Sequence, residues 1–250
     1  MPKLGLGTGI GRSGIVTPGI VTDSLVMKHL YPAGGVQPLS DGAAYFDGST
    51  SYVSAATLTF TDSMSFCCWV RSDASASGTI ISSREDASNA VTIGISSNVV
   101  DARFVGANTL QRVSTAWTHQ AWNHIACVCD SGTATTGLSI YINGALDNGA
   151  TSNAFPIPTH ALTHIGIKRS GSSSYNSDFE GHVCNVGVWN DLLTQPEIKS
   201  IMWKQYAGLS TTEKTSLVSW WNLDVETNTS GESGTGGVKD HHGSNHGTLS

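Results

Sequence analysis

The stretch from residue 122 to residue 149, WNHIACVCDSGTATTGLSIYINGALDNG, contains two short apolar runs separated by turn-forming residues. The first run spans residues 125–129 and the second spans residues 138–142. The pair Asn143-Gly144 follows the second run, and it fits a type I′ turn because both residues tolerate positive φ. The stretch therefore predicts a strand, a loop, a second strand and a tight turn, which together form a unit of antiparallel β-structure.

Neighbouring segments extend this pattern in both directions. The chain before the stretch contains AAYFDG, SYVSAA, SMSFCCWVRS, GTIISSRE, AVTIGISS and VVDARFVG, and the chain after it contains LTHIGIKR and GHVCNVGVWN. In SMSFCCWVRS, the apolar residues Met64, Phe66, Cys68 and Val70 fall on one face of a strand. Short strands with turn signals between them are typical of a sandwich or barrel. Because most strands alternate, we expect antiparallel sheets with one face exposed to water.

The segment LLTQPEIKSIMWKQYAG, residues 192–208, predicts one short helix. Thr194 is the expected N-cap, with Pro196 in the first turn and Glu197 at the third helical position, which is the capping-box arrangement. Gly208 is the expected stop at the C-terminal end.

Composition limits the classes of protein to consider. The chain has 250 residues, 28 of them glycine, with 13% charged residues and a formal net charge of −6. The length suits one large β domain with extensions, and the acidic balance argues against a nucleic-acid partner. No run approaches the roughly 20 apolar residues of a membrane helix, so we expect no membrane insertion. The glycine-interrupted start lacks the apolar core of a secretory signal, which indicates synthesis in a cytoplasm.

The cysteines do not have the spacing of a metal site. The chain contains Cys67, Cys68, Cys127, Cys129 and Cys184, an odd number with no C-x-x-C pair. We therefore expect small buried apolar residues rather than a disulfide framework or zinc ligands.

Three regions differ in composition. Residues 1–42 are rich in glycine and predict an extended N-terminal arm used in assembly or docking. Residues 43–206 contain the strands and the helix. Residues 207–250 contain one further strand-like segment, LVSWWNLD, and a tail rich in Gly, Ser and His.

Several blocks of residues 43–203 resemble laminin G-like domains, which are concanavalin A-like jelly rolls. The blocks are AAYFDGSTSYVS, SFCCWVRS, WNHIACVCD, LSIYINGAL and FEGHVCNVGVWNDLLTQPEI, and they occur in the order typical of that family. The resemblance implies an all-β fold: an antiparallel jelly-roll β-sandwich with one short helix on the C-terminal side and extended N- and C-terminal arms.

The chain departs from the family pattern in two places. Cys184-Asn185 replaces an Asp-Glu pair of the family, so a role of those carboxylates, including metal support, is not carried over. LVSWWNLD and VKDHHGSNHGTLS resemble the family's first strand and the turn after it, yet here they follow the core. Two arrangements fit: the strand returns to its own sandwich as a circular permutation, or it completes a neighbouring subunit or begins a second repeat.

An enzyme is the remote alternative. Glycoside hydrolases of this fold need two carboxylates across the cleaved bond, and this chain lacks their E-x-D-x-E type of strand. Glu180, Glu197 and Glu213 lie near a predicted turn, a predicted helix start and a second predicted helical segment, where carboxylates are solvated or form caps. We therefore predict a protein without catalytic activity and without catalytic residues.

Carbohydrate binding is the second hypothesis, implied by the lectins that share this architecture. The candidate loops are REDASNA (84–90), STAWTHQAW (114–122) and SGSSSYNSDFEG (170–181). The candidate contacts are Tyr175, as the residue that stacks on a sugar, with Asn176, Asp178, Asp86, Asn89 and Trp117. No cofactor is predicted; the alternative is a calcium-dependent carbohydrate-binding module, which requires several converging oxygen ligands.

The N-terminal arm together with the domain resembles structural proteins of tailed bacteriophages of marine type, on the residues MPKLGLG, GIVTPGIVTDSLVMKH and VQPLSDGAAYFDG. The resemblance implies a virion protein: a capsid decoration, tail-associated or fibre component located on the particle. Its implied partners are other virion proteins, copies of itself and host-surface glycans.

Overall fold

The computed structural model describes residues 42–59, 63–73, 75–84, 90–105, 109–130, 137–148, 162–169, 175–224 and 237–249. Residues 1–41 of the predicted arm lie outside these ranges. Within them the strands are β1 (Ala44–Asp47), β2 (Val53–Thr57), β3 (Ser63–Ser72), β4 (Gly78–Arg84), β5 (Ala90–Ser96), β6 (Val99–Val105), β7 (Thr109–Val113), β8 (Asn123–Asp130), β9 (Gly137–Ile142), β10 (Ala145–Asn148), β11 (Leu162–Ile165), β12 (Lys168–Arg169), β13 (Tyr175–Asn176), β14 (Glu180–Trp189), β15 (Leu217–Trp221), β16 (Gly237–Val238) and β17 (Gly247–Leu249). The helix described is α1 (Gln195–Ile201), followed by a 3-10 turn at Tyr206–Gly208.

These strands form two antiparallel sheets. The first sheet has the order β1-β14-β3-β8-β9-β10, with β15 also paired to β14. The second sheet has the order β16-β17-β2-β11-β4-β5-β6-β7, and β12 and β13 form a separate small ribbon. The predicted fold class, an antiparallel β-sandwich with one short helix, is confirmed. Within the described ranges, no helix is long and apolar enough to cross a membrane.

The stretch 122–149 folds locally as its pattern predicts. It supplies β8, β9 and β10, and the turn between β9 and β10 has positive φ at both Asn143 (51°) and Gly144 (75°). Two successive positive φ values are the mark of a type I′ turn, whose twist matches that of the flanking strands.

The main core lies between the two sheets. Met64, Phe66, Cys68 and Val70 of β3 all contribute to it, as their alternation predicts, and the alternate residues of β5 meet them from the second sheet. Apolar burial of this kind contributes most of the stability of a domain, at about 25 cal/mol per Å².

A second core covers part of the outer face of the first sheet, which corrects the expectation of a water-exposed face there. Helix α1 contributes Ile198 and Ile201, the first sheet contributes Trp189, and the C-terminal strand contributes Trp220. Strands β3, β8 and β14 are consequently buried on both faces. Alternation cannot reveal this, because a strand covered on both faces needs apolar residues at every position.

Helix α1 begins as predicted and ends earlier. Glu197 Oε2 accepts hydrogen bonds from the backbone N–H of Thr194 (2.8 Å) and from its hydroxyl (2.7 Å). The helix ends at Ile201, and Gly208 lies in the separate 3-10 turn, so its predicted role as the helix stop is wrong. The ion pair between Lys204 and Glu213, which we call the clamp, fixes the chain that follows the helix.

The C-terminal segment returns to its own sandwich. Strand β15 pairs with β14 over Val186–Trp189, directly beyond the part of β14 that pairs with β1. Strand β17 pairs with β2 in the second sheet. Between β16 and β17, the buried Asp240 carboxylate accepts the backbone N–H groups of Trp220, His242 and Asn245 at 3.0 to 3.1 Å. In this turn, which resembles the turn after the family's first strand, Asp240 therefore fixes the backbone of β15 and of the residues that lead into β17.

All five cysteines are buried and form no disulfide with one another, as expected of small apolar residues. Cys67 and Cys68 point to opposite faces of β3, into the helix-side core and the inter-sheet core respectively. Burial raises the pKa of the Cys129 thiol to about 12, so it stays protonated and unreactive at neutral pH.

Candidate functional site

A groove of about 550 Å³ lies on the outer face of the second sheet and follows strand β5. Its lining comes from β4, β5, β6, β12 and the residues just before β14. The lining residues with a chemical or steric role are Gly78, Thr79, Thr92, Gly94, Asp101, Arg103, Lys168 and Ser177. Helix α1 packs on the first sheet, on the other side of the sandwich from the groove. It therefore leaves the groove accessible to a ligand from solvent.

Strand alternation places the polar side chains in the groove. Val91 and Ile93 of β5 point into the inter-sheet core, so Thr92 between them points outward. The register of β5 and β6 sets Thr92 opposite Arg103 and Gly94 opposite Asp101. The groove therefore has small residues along its centre, with Asp101 and Arg103 on the β6 side.

Two glycines bring backbone segments together at the floor. A Cβ atom added to Gly94 would lie 2.4 Å from the carbonyl oxygen of Gly78, and one added to Gly78 would lie 2.3 Å from that of Asp178. Thr79 N–H donates to the carbonyl of Ser177 at 2.8 Å. Because only glycine permits these approaches, the chain at residues 177–178 lies against β4 and forms a wall of the groove.

On the β6 side of the groove, the Asp101 carboxylate lies near both Gln111 and Arg103. Gln111 Nε2 donates to both carboxylate oxygens of Asp101, at 2.8 and 3.0 Å. Arg103 Nη2 lies 3.9 Å from the same carboxylate. Lys168 lines the groove from β12.

The structure places part of the predicted loop 170–181 beside this groove. Tyr175 and Asn176 form β13, and Asn176 stands opposite Lys168 in the β12–β13 register. Asp178 is partly exposed, next to the lining residue Ser177. Residues Asp86 and Asn89 of the loop 84–90 lie outside the described residues, although Ala90, which ends that loop, lines the groove.

Trp117 is the predicted contact that the structure does not place at a ligand surface. Its side chain is 7% exposed and belongs to the inter-sheet core. Its indole Nε1 donates to the Ser72 hydroxyl at 2.8 Å, which satisfies the polar atom of a buried tryptophan. We therefore correct its role from sugar contact to core residue.

The sequence reasoning missed Thr92, Asp101, Arg103 and Lys168. A signal was present: in AVTIGISS and VVDARFVG, polar residues alternate with core residues and so share one outer face. The sequence pattern does not reveal that β5 pairs with β6, and this pairing brings the two polar faces together.

Among the described residues, no group of three or more His, Cys, Asp or Glu side chains could hold a metal ion. Of the candidate contacts Asp86, Asn89 and Asp178, whose side-chain oxygens could also bind calcium, only Asp178 is described.

A second exposed surface lies on the outer face of the first sheet, and we call Tyr45, His182 and Trp122 the aromatic row. The ring centroids of Tyr45 and His182 are 4.9 Å apart, and those of Trp122 and His182 are 6.2 Å apart. Tyr45 is 52% exposed. Partial burial and the nearby Arg71 guanidinium lower the pKa of His182, which favours its neutral form.

Comparison with known structures shows that proteins of distant sequence share this fold. A putative carbohydrate binding protein from Bacteroides ovatus has a TM-score of 0.64 and 20% identity, over 85% of this chain and 59% of that protein. Domain 4 of AbnA, an extracellular arabinanase from Geobacillus stearothermophilus solved with arabinotriose, has a TM-score of 0.53 and 17% identity, over 68% of this chain and 82% of that one. A heptameric SAP-like pentraxin from Limulus polyphemus has a TM-score of 0.54 and 14% identity, over 67% of this chain and 84% of that one.

No curated protein sequence gives a significant match to the chain. The family model described as the concanavalin A-like lectin/glucanases superfamily matches residues 47–199, which is more than half of the chain. The sandwich, the strand order and this match agree, and the chain belongs to the concanavalin A-like lectin/glucanases superfamily.

Proposed function

We propose that the chain is a non-enzymatic, lectin-like protein that binds a glycan in the groove along β5. The observation that carries this proposal is the groove itself: an open channel of about 550 Å³ lined mainly by small residues, hydroxyls and three charged groups. Sugars present many hydroxyl groups, and closely spaced Ser, Thr and charged side chains can donate to them and accept from them.

The structural neighbours support the same class of ligand. One is named as a putative carbohydrate binding protein, and another was solved with arabinotriose. Both of these proteins share the β-sandwich fold with this chain. In this chain, the groove on the outer face of the second sheet is the candidate binding site.

The charged residues of the groove support binding without catalysis. Glycoside hydrolysis uses two carboxylates on either side of the scissile bond. Among the described lining residues Asp101 is the carboxylate, and Gln111 donates hydrogen bonds to both of its oxygens. Of the glutamates considered above, Glu197 caps α1 and Glu213 binds Lys204. We expect no new reducing ends when the protein is incubated with polysaccharides that it binds.

The test is a glycan array probed with the wild type and with Thr92→Trp, which places an indole in the groove. We expect the variant to lose about tenfold or more in affinity for each bound glycan, because the ring occupies volume that the sugar needs. Thr211→Trp, an identical change in the exposed turn after α1, is the matched control and should bind like the wild type.

Two results would count against the groove. Glycan binding that persists in Thr92→Trp but disappears in Tyr45→Ala would move the site to the aromatic row. An array without any bound glycan would reject carbohydrate binding altogether.

We also propose that the protein is displayed on the virion of a tailed bacteriophage, as a capsid decoration, tail-associated or fibre component. Residues 1–42 would dock on other virion proteins or on copies of the chain, and the domain would present its groove to host-surface glycans. The supporting features are the glycine-rich arm and the low content of charged residues. Sizing with mass detection tests this: we expect an oligomer for the full chain and a monomer after removal of residues 1–42.

A further inference from the structure

The groove has a charge balance opposite to that of the chain. Its described lining residues include two cations, Arg103 and Lys168, and one carboxylate, Asp101. The whole chain has a formal net charge of −6. A local excess of positive charge on an acidic protein indicates a ligand that carries negative charge.

Asp101 is already hydrogen-bonded to a neighbouring side chain. Both of its carboxylate oxygens accept from Gln111 Nε2, and its side chain is 25% exposed. These bonds fix the carboxylate towards Gln111 but leave its negative charge in place, so the two cations still outnumber it.

Arg103 keeps the capacity to bind a second anion. Its guanidinium lies 3.9 Å from Asp101, whereas a charge-assisted hydrogen bond spans about 2.7–2.9 Å. The side chain is 47% exposed and carries five N–H donors in a planar fork. That fork matches the two oxygens of a carboxylate.

The two cations lie on opposite sides of the groove. Arg103 belongs to β6, which pairs with one edge of β5, while β4 pairs with the other edge. Lys168 belongs to β12, which packs beside β4. A chain of sugars along β5 would therefore run between the two cations, over the small residues Thr92 and Gly94.

We propose that the groove selects acidic glycans, and that a sugar carboxylate binds Arg103 while Lys168 contacts the ligand from the other side. This assignment rests on the proposed function, since it names the class of glycan for the same groove. Hydroxyl groups of the sugar bind Thr92 and the serine hydroxyls of the lining.

The experiment compares each acidic glycan with its neutral counterpart. The probes are immobilised polygalacturonate, hyaluronan and sialyllactose, each beside its methyl ester, which removes the carboxylate charge and keeps the sugar backbone. We expect wild-type protein to bind at least one acid form about tenfold more tightly than its ester. Thr92→Trp should abolish that binding, and added salt should weaken it.

Three variants of the groove and one control variant outside it identify the groups responsible. Arg103→Gln and Lys168→Gln should each reduce affinity for the acid form by about tenfold, because each removes a charge-assisted contact. Arg71→Gln, on the outer face of the other sheet, changes the net charge equally and should bind like the wild type. Asp101→Asn should strengthen binding severalfold, since it removes a negative charge and leaves an acceptor for Gln111. Damage to the fold cannot explain an increase.

Different failures have different meanings. If Thr92→Trp blocks binding but esters bind as well as acids, or Arg103→Gln binds like the wild type, acidic selectivity is wrong and the proposed function stands. If none of the six probes binds and an array shows groove-dependent binding of neutral glycans alone, selectivity is likewise wrong. If no glycan binds in a groove-dependent way, the proposed function is wrong and the selectivity falls with it.

Discussion

His124 is the clearest example of a residue whose environment changes its chemistry. It is 1% exposed, its ring packs edge-on against Trp69 with centroids 5.5 Å apart, and its Nδ1 atom has no hydrogen-bond partner. Burial lowers the pKa of His124 to about 3. An unfolded histidine takes up a proton near pH 6.5, so the unfolded state binds more protons than the folded state between those two pH values.

Acid should therefore destabilise the protein through His124. The free energy of unfolding should fall as pH decreases from about 6.5 towards 3, by roughly 2.5 kcal/mol from this residue between pH 7 and pH 4.5. Urea unfolding at pH 7 and pH 4.5 gives the change in the free energy of unfolding for the wild type and for His124→Leu. The difference between these two changes is the contribution of His124. The exposed His242→Leu is the control, and equal pH dependence in all three proteins would contradict the assignment.

At the scale of an element, Glu213 joins helix α1 to the turn that follows it. Its carboxylate accepts from Lys204 Nζ at 2.6 Å, from the Ser200 hydroxyl at 2.7 Å and from Ser210 N–H at 2.8 Å. Although desolvation raises it, these hydrogen bonds lower the pKa of Glu213 to about 2. These contacts lie directly after the end of α1 at Ile201, in the chain that leads to Gly208.

Loss of this clamp should destabilise the protein at neutral pH. Glu213→Gln should reduce the free energy of unfolding by about 2 kcal/mol at pH 7, as expected for hydrogen bonds to a charged group. A depressed carboxyl pKa stabilises above the unfolded value near 4.5 and loses that effect as pH falls towards 2. The difference between variant and wild type should thus shrink between pH 4.5 and pH 2.

The matched control for this prediction is Glu180→Gln, at an exposed carboxylate of β14. Surface changes of this kind usually alter stability by less than about 0.5 kcal/mol. Equal effects of the two substitutions in urea unfolding would show that Glu213 is not a clamp.

At the scale of the whole molecule, the C-terminal strand completes both cores. Trp221 of β15 is fully buried in the inter-sheet core, and its neighbour Trp220 lies in the core beneath α1. Strand β15 lies beside β14, on the same side as β1, so the sandwich is closed by residues more than 170 positions away from β1 along the chain.

Trp221 should accordingly be among the most costly positions to truncate. We expect Trp221→Ala to reduce the free energy of unfolding by about 3–5 kcal/mol, because a large cavity remains in the core. Trp203→Ala, at a tryptophan that is 43% exposed, should cost about 1 kcal/mol or less. Similar losses in urea unfolding for both variants would contradict a structural role of the returning strand.

What the sequence alone determined about this protein is its local structure. The type I′ turn at Asn143-Gly144, the Thr194–Glu197 cap and the alternation of β3 all follow from neighbours within a few residues, where φ preferences and side-chain periodicity act directly. Together with the order of the family-like blocks, they are sufficient for the antiparallel sandwich.

Only the tertiary structure decided which faces are covered and where the groove lies. The second core buries a sheet face expected to meet water, and Trp117 points inward although its loop is polar. Thr92, Arg103 and Lys168 share one groove because β4, β5 and β6 are neighbours in the second sheet and β12 packs against β4. Strand order and register depend on pairing between distant segments, and no residue's own preferences contain that information.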